Sequence, residues 1–324
     1  MKAIVVRKHG GPEVLEHVEL PSPEPGRGQV RVRLKAIGIN RRDAFIRAGI
    51  YKRNLPVIPG IEGAGVVDGV GLGVSGWAVG ERVVYYVPDL LGAYAECHVV
   101  PAQRLVRLPS ELSFQDAAAI FDHGLTAHYL STSTFPLRKG HRVLVQAAAG
   151  GVGSLLTQFA RRMGATVYAT VSSSEKADLV RRLGADEAIL YRDIDFVEAV
   201  RGLTEGRGVD VVYDSVGKDT IQGSIRCLAK RGTLVLYGQS SGPVTTIDPA
   251  ELADAGSLFF TRPHLAHHIA SREELDKRSQ DIFSWYLQGK VSLNIDKVYP
   301  LSDVAEAHRR LEDRSRSGKL LLIP

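Results

Sequence analysis

Two hydrophobic periods divide this chain. From Lys2 to Arg7 and from Gln29 to Ile39 apolar and polar positions alternate, most clearly at Val30, Val32 and Leu34, which predicts half-buried strands. Arg41 to Ala48 carries a short helical pattern that Gly49 ends. Short strands punctuated by Gly and Pro, as in Pro56-Val-Ile-Pro-Gly-Ile-Glu-Gly-Ala-Gly65, continue to Val100 and predict a mostly β, barrel-like first domain. The pattern then changes. Val143 to Val145 is a short apolar run of the kind a buried parallel strand shows. Glycines follow at once; then Leu155, Leu156, Phe159, Ala160 and Met163 recur at helical spacing, and Gly164 stops the helix. Further strands are predicted over 166–171, 188–190, 209–213 and 233–237, with helices over 175–183, 196–203 and 222–228. Strands alternating with helices predict an α/β fold with a doubly wound parallel sheet. After Pro263 the patterns are mixed, and a last strand over 320–323 is expected to rejoin the first domain. The parallel-sheet domain is then a continuous insert, with the active site expected in the cleft between domains.

The stretch Ala147-Ala148-Ala-Gly150-Gly151-Val152-Gly153 lies between the first of these parallel strands and its helix. Backbone without side chains lets a pyrophosphate approach, and the free N–H groups of a helix N-terminus favour its charge. Ala148 stands where a full fingerprint has its first glycine, so the motif alone also suits an ordinary glycine turn. The alternating strands and helices around it favour the dinucleotide. The second strand ends in Ser172-Ser173-Ser174-Glu175-Lys176, where an NAD site commonly has an acid for the ribose 2′-hydroxyl. Small hydroxyls with a nearby ammonium suit a 2′-phosphate, so NADPH is the expected cofactor. The same serines also suit capping of the next helix, and the two roles are compatible.

Composition narrows the classes. Of 324 residues, 44% are hydrophobic, and the net charge is +5. The Lys and Arg residues are dispersed, with no interleaved basic and aromatic stripe, so nucleic acid is not an expected partner. No apolar run is long enough to cross a bilayer, and the first residues start a strand instead of a signal peptide. Two cysteines, Cys97 and Cys227, suit a reduced, cytoplasmic setting.

Several stretches together carry a family likeness: His9-Gly-Gly-Pro-Glu-Val-Leu15, Lys35-Ala-Ile-Gly-Ile-Asn40, Gly92-Ala-Tyr94, Ala147 to Gly153, Val211-Val-Tyr-Asp-Ser-Val-Gly217, Thr261-Arg-Pro263 and Gly318-Lys-Leu-Leu-Leu-Ile-Pro324. The chain resembles the medium-chain dehydrogenase/reductases along its whole length, and within them the zinc-independent NADPH:quinone oxidoreductases, the zeta-crystallin-like group. The resemblance implies a GroES-like β-barrel catalytic domain over 1–123 and 265–324, a Rossmann NADPH-binding domain over 124–264, and a homodimer. It implies hydride transfer from NADPH to a quinone, with α,β-unsaturated carbonyl compounds or enoyl thioesters as the alternative substrates.

The resemblance also assigns residues. Asn40 and Asp43 match positions near the nicotinamide; Asn40 suits orienting a ribose hydroxyl or a quinone oxygen, and equally a helix N-cap. Tyr51 matches an aromatic at the substrate cleft, or simply packs. Thr126, the turn residues Ala148, Gly150, Gly151, Val152 and Gly153, then Ser172, Ser173, Lys176 and Ser215, match the cofactor site. The loop with Gly238, Gln239 and Ser240 lines the nicotinamide side, and Tyr191 and Arg314 flank the 2′-phosphate.

Zinc-dependent relatives place ligands where this chain has Asn40, Arg41 and Ile61. Isoleucine cannot ligate and arginine stays protonated, so the expectation is catalysis without metal. His264, His267 and His268 cluster, but no Cys or carboxylate lies at ligand spacing, and an exposed polar turn is expected there. Without a Lewis acid, an electrophilic quinone is a better hydride acceptor than an alcohol is a donor. The chain departs from its relatives at Arg41 and Arg42, commonly apolar, and at His123, commonly lysine. His123 is expected either as a proton donor to the reduced substrate or as a hydrogen-bonded interdomain residue.

Overall fold

The computed structural model describes residues 1–313 and 315–324; Arg314 lies outside the described residues. The chain forms two compact units: Met1–Asp122 with Ser271–Pro324, and His123–Ala270. The sequence placed the return to the first unit at 264/265; the division lies at 270/271, where the Ser271 hydroxyl caps a helix.

In the first unit the strands are β1 (Lys2–Val6), β2 (Leu15–Glu19), β3 (Gln29–Ile39), β4 (Glu62–Val70), β5 (Arg82–Tyr86), β6 (Cys97–Pro101) and β7 (Leu105–Arg107), with α1 (Arg41–Arg47) after β3. Helix α2 (Phe114–Tyr129) follows, and the division between units falls inside it. The bounds of β3 and α1 fall where the alternation and Gly49 put them. Strand β3 is the spine: it pairs antiparallel with β4, β6 and the last strand of the chain. Its ladder with β4 slips twice, between Arg31 and Val32 and between Leu34 and Ala36, and such bulges bend a long strand so that a sheet can curl. A Cβ on Gly65 would stand 2.1 Å from the Arg33 carbonyl, so only glycine fits that crossing.

The second unit is a single parallel sheet. Its elements are β8 (Arg142–Val145), α3 (Gly151–Arg162), β9 (Thr166–Val171), α4 (Ser174–Arg182), β10 (Glu187–Leu190), α5 (Phe196–Leu203), β11 (Val209–Asp214), α6 (Ile221–Arg226), β12 (Leu228–Leu236), α7 (Pro249–Asp254) and β13 (Phe259–Thr261). The strand order is β10-β9-β8-β11-β12-β13, and every pairing is parallel. The chain winds outward from β8 through β9 and β10, then returns to the other side of β8 with β11. Ligands of such sheets bind beyond the carboxyl ends of the strands where this reversal occurs. Its core is aliphatic and contiguous, with Leu144, Ile189, Val200, Val212, Leu228 and Leu234 all buried.

Back in the first unit come α8 (Arg272–Leu287), β14 (Ile295–Pro300), α9 (Val304–Glu312) and β15 (Lys319–Ile323). The final strand does rejoin the first unit, pairing Leu320 with Ile39 and Leu322 with Ile37. The hydrophobic pattern missed α2, α8 and α9, and started β12 too late. Helix α9 does carry a signal, Val304, Ala307, His308 and Leu311 at helical spacing, but a histidine on its buried face hides it. Strand β12 is interrupted by Arg231 at φ 61 and Gly232, a kink that makes its first half read as the end of a helix.

Candidate active site

The turn after β8 sits at the reversal of the sheet. Ala148 N–H donates to the Thr170 carbonyl and Ala147 N–H to the Thr170 hydroxyl, which ties the turn to β9. The left-handed residue of this turn is Ala147, at φ 52. Ala148 itself has no positive φ, so the missing first glycine costs the turn nothing. A Cβ on Gly153 would meet the Ala147 carbonyl at 2.6 Å and the Ala148 Cα at 2.9 Å, so helix and turn pack backbone to backbone there. Gly150 is the N-cap of α3 and supplies no side-chain cap, which leaves the first N–H groups to an outside acceptor. A Cβ on Gly151 would stand 2.1 Å from His123 Cε1 and 2.2 Å from Nδ1. The imidazole therefore lies directly on the bare helix start, and Thr126 stands one helical turn further along α2.

Two other loops end at the same edge of the sheet. Buried Asp214, the last residue of β11, accepts from Val216 N–H at 2.8 Å and Gly217 N–H at 3.0 Å, and from the hydroxyls of Thr220 and Ser224. This folds the Ser215–Gly217 segment back over the strand end. Ser240 N–H then donates to the Ser215 carbonyl at 3.1 Å, and Gly238 N–H reaches the Asp214 carbonyl. Gln146 joins the loops, donating to Ser224 Oγ while accepting from Thr170 Oγ1 at 2.6 Å. The sequence reading missed Gln146, Thr170 and Asp214; a polar residue closing an otherwise apolar strand was the available signal. At the end of β9, Ser173 Oγ caps α4 by accepting from Lys176 N–H, and Lys176 Nζ stands 3.1 Å from Ser172 Oγ. Tyr191 N–H donates to the Val171 carbonyl, so this exposed aromatic borders the same turn. Bare glycines, a helix N-terminus with no side-chain cap, and hydroxyls beside an ammonium fit the pyrophosphate and the 2′-phosphate of a 2′-phosphorylated dinucleotide. Arg314, also expected there, lies outside the described residues.

Asn40, Asp43 and Tyr51 belong to the first unit. Asn40 is the N-cap of α1, and its backbone N–H donates to Asp43 Oδ2 at 2.8 Å. The Asn40 side chain points elsewhere, to Glu62 and Lys319. Asp43 is wholly buried; Tyr94 OH also donates to it, and Tyr94 continues to His308 Nε2. His308 faces Arg47, which pairs with Glu312. Burial drives the His308 pKa down to about 3, with Arg47 adding to the shift, so its ring is neutral. Asp43 thus holds the first turn of α1 against α9. Tyr51 packs edge-on against Phe45 at 5.3 Å, with part of its surface left open. Arg42 reaches the Pro88 carbonyl. His264 caps a short turn with its own ring and His268 stacks on Tyr129 at 4.3 Å. Among the described residues no group of three or more His, Cys, Asp or Glu side chains is arranged to hold a metal ion. No described helix is long and apolar enough to cross a membrane.

Burial, then the Glu62 charge, pushes the Asp122 carboxyl up to about 7, against the pull of Lys319. Burial likewise raises Asp43 to about 6, opposed by the Asn40 N–H and Tyr94 OH. A carboxyl raised in the folded chain is protonated there more readily than in the unfolded one, where it stays near 3.8. Stability therefore falls as pH rises from about 4 to about 7, and the penalty is complete above that. Asp122→Asn is expected to stabilise the protein on the order of 2–4 kcal/mol at about pH 8 and by little at about pH 4. Thermal unfolding at the two pH values measures this, and an equal gain at both would show that the carboxyl is not raised.

Comparison with known proteins agrees with this architecture. Residues 26–110 match the family described as alcohol dehydrogenase GroES-like domain, and residues 151–281 the one described as zinc-binding dehydrogenase. Quinone oxidoreductase 1 of Escherichia coli strain K12 is 43% identical over 99% of this chain and 99% of its own. A 2-haloacrylate reductase of Burkholderia sp is 42% identical over 99% of this chain and 98% of its own. The crystal structure of the Escherichia coli quinone oxidoreductase complexed with NADPH superimposes with a TM-score of 0.97, at 42% identity over all of both chains. The donor set here does not fit zinc: Ile61 offers no ligand atom, and the Lys319 ammonium occupies Asn40 and Glu62. The chain belongs to the quinone oxidoreductase family of the medium-chain dehydrogenase/reductases, in its zinc-independent branch.

Proposed function

We propose that this protein is an NADPH-dependent quinone reductase that works without a metal. The observation that carries the reading is the edge of the parallel sheet: a bare glycine turn and helix start after β8, and, directly after β9, the hydroxyls of Ser172 and Ser173 with the Lys176 ammonium. NADPH supplies the hydride. The chain's own part is to bind the pyrophosphate and the 2′-phosphate, fix the ring geometry and exclude water. Gly150, Gly151, Val152 and Gly153 receive the pyrophosphate at the start of α3, and Ser172, Ser173 and Lys176 the 2′-phosphate, with Tyr191 alongside. Ser215, Gly238, Gln239 and Ser240 form the wall towards the nicotinamide. Asn40 presents an amide to the reacting groups. His123, on α2 beside Gly151, delivers the proton that a reduced quinone oxygen requires, a role its closeness to the glycine turn supports.

The test is NADPH oxidation by the purified protein against a panel of quinones, 2-haloacrylates and unsaturated ketones. The relative that reduces 2-haloacrylate supports activated alkenes as the second substrate class. Turnover with alkenes and none with any quinone would move the protein to that class; absence of turnover with all of them would remove the reading. The buried thiols Cys97 and Cys227 suit a cytoplasmic protein.

The same proposal includes a homodimer. Strand β13 ends the parallel sheet, and its outward edge carries Phe259, 62% exposed, beside Phe260. An open edge with exposed aromatics favours pairing with a second copy. Phe259→Lys is expected to halve the mass measured by light scattering, and an unchanged mass would exclude this edge as the interface.

A further inference from the structure

Lys319 and Glu62 meet Asn40 inside the first unit. The antiparallel pairing of Leu320 with Ile39 sets Lys319 opposite Asn40, and Glu62 opens the neighbouring strand β4. Lys319 Nζ stands 2.8 Å from Asn40 Oδ1 and 2.5 Å from Glu62 Oε1. Asn40 Nδ2 closes the triangle, donating to the same Glu62 oxygen at 2.7 Å. The other Glu62 oxygen accepts from Asp122 N–H, and the carboxylate lies over Gly38, where a Cβ would stand 2.1 Å from Oε1. Glu62 is 0%, Lys319 3% and Asn40 7% exposed.

We propose that Lys319 and Glu62 are positioning residues that fix the face of the Asn40 amide. The inference rests on the reading of Asn40 as a group facing the reacting pair. An ammonium has only donors, so the amide oxygen must face Lys319; a carboxylate has only acceptors, so the amide nitrogen must face Glu62. The two charges therefore forbid the amide flip that a neutral environment permits. One N–H and one lone pair of Asn40 remain, in a single fixed orientation. Stability does not call for this arrangement. Burying an ammonium and a carboxylate costs several kcal/mol each, and apolar residues of similar volume commonly serve the fold as well or better.

That last point supplies the experiment. Glu62→Met combined with Lys319→Met removes both charges together, leaving no unpaired ion. The double variant is expected to melt at the wild-type temperature or above. Its kcat for NADPH oxidation with a quinone is expected to fall about 10- to 100-fold, the scale of a misplaced reacting group, with KM nearly unchanged. Asn40→Ala should lose as much by itself, and adding the pair of methionines to it should lose no more. In ¹⁵N-labelled protein, the side-chain NH₂ signal of Asn40, assigned by its absence in Asn40→Ala, should exchange slowly in the wild type and rapidly in the double variant. Glu62→Gln combined with Lys319→Met also leaves no buried ion and keeps the shape of the Glu62 side chain, and it serves, with the same expected outcomes, if the double methionine variant does not fold. A folded double variant with wild-type kcat, or losses that add to that of Asn40→Ala, overturns the positioning role. Full activity in Asn40→Ala overturns it too. A wild type inactive with every quinone removes the proposed function instead, and the amide exchange alone then decides: slow exchange lost in the variant upholds the positioning, and equal exchange rejects it.

Discussion

Asp214→Ala is expected to lower the unfolding free energy by about 3–5 kcal/mol, because several buried donors lose their acceptor at once and each costs about 1–3 kcal/mol. The Val216 and Gly217 N–H groups are backbone and cannot turn away, while the Thr220 and Ser224 hydroxyls can find weaker partners. The loss should appear as a lower urea midpoint with an unchanged slope. Cofactor affinity should fall with it, since the same carboxylate folds the Ser215–Gly217 segment on which Ser240 leans. Asp214→Asn keeps one acceptor oxygen for the two N–H groups and should recover part of the stability. A change below about 1 kcal/mol in Asp214→Ala would mean that water replaces the carboxylate and that the segment does not depend on it.

Lys176→Ala is expected to weaken NADPH binding about 10- to 150-fold, the effect of losing one charge-assisted phosphate contact of about 1.5–3 kcal/mol. NADH affinity should change little, since a ribose hydroxyl gains far less from the ammonium. The geometry behind this is narrow: Lys176 Nζ is held over Ser172 Oγ, one helical turn after the cap formed by Ser173. Fluorescence titration of both cofactors with wild type and variant gives the two ratios. Equal weakening of NADPH and NADH would remove Lys176 from the phosphate site and leave it as part of the α4 cap alone.

Much of this was readable in the residues. The period of two along β3 and the apolar runs of β8, β9 and β11 are local signals, strong because each strand is buried on one or both faces. Glycines mark the cradle as a local signal too, and a Cβ on Gly151 or Gly153 would strike its neighbours at 2.1 and 2.6 Å. The Glu62–Lys319–Asn40 triangle was not legible. Its members are separated by up to 279 positions, and each alone resembles an ordinary surface residue. Only the register of β15 on β3 reveals that they share one buried point. Asp43, which the resemblance places near the nicotinamide, also has a role in α1 that no local pattern announced, since it is wholly buried and bonded to Tyr94.

The pairing of β15 with β3 also bears on synthesis at the ribosome. The parallel-sheet unit is one continuous segment with its own aliphatic core, so it can fold once residue 270 has emerged. The unit that begins the chain cannot: its central strand waits for residues 319–323, and until then Glu62 has no ammonium beside it. A nascent chain therefore completes its second unit first, reversing the usual N-terminal-first order of domain folding. During that interval the edge of β3 that β15 will cover stands open, and this is the period in which a chaperone has something to hold.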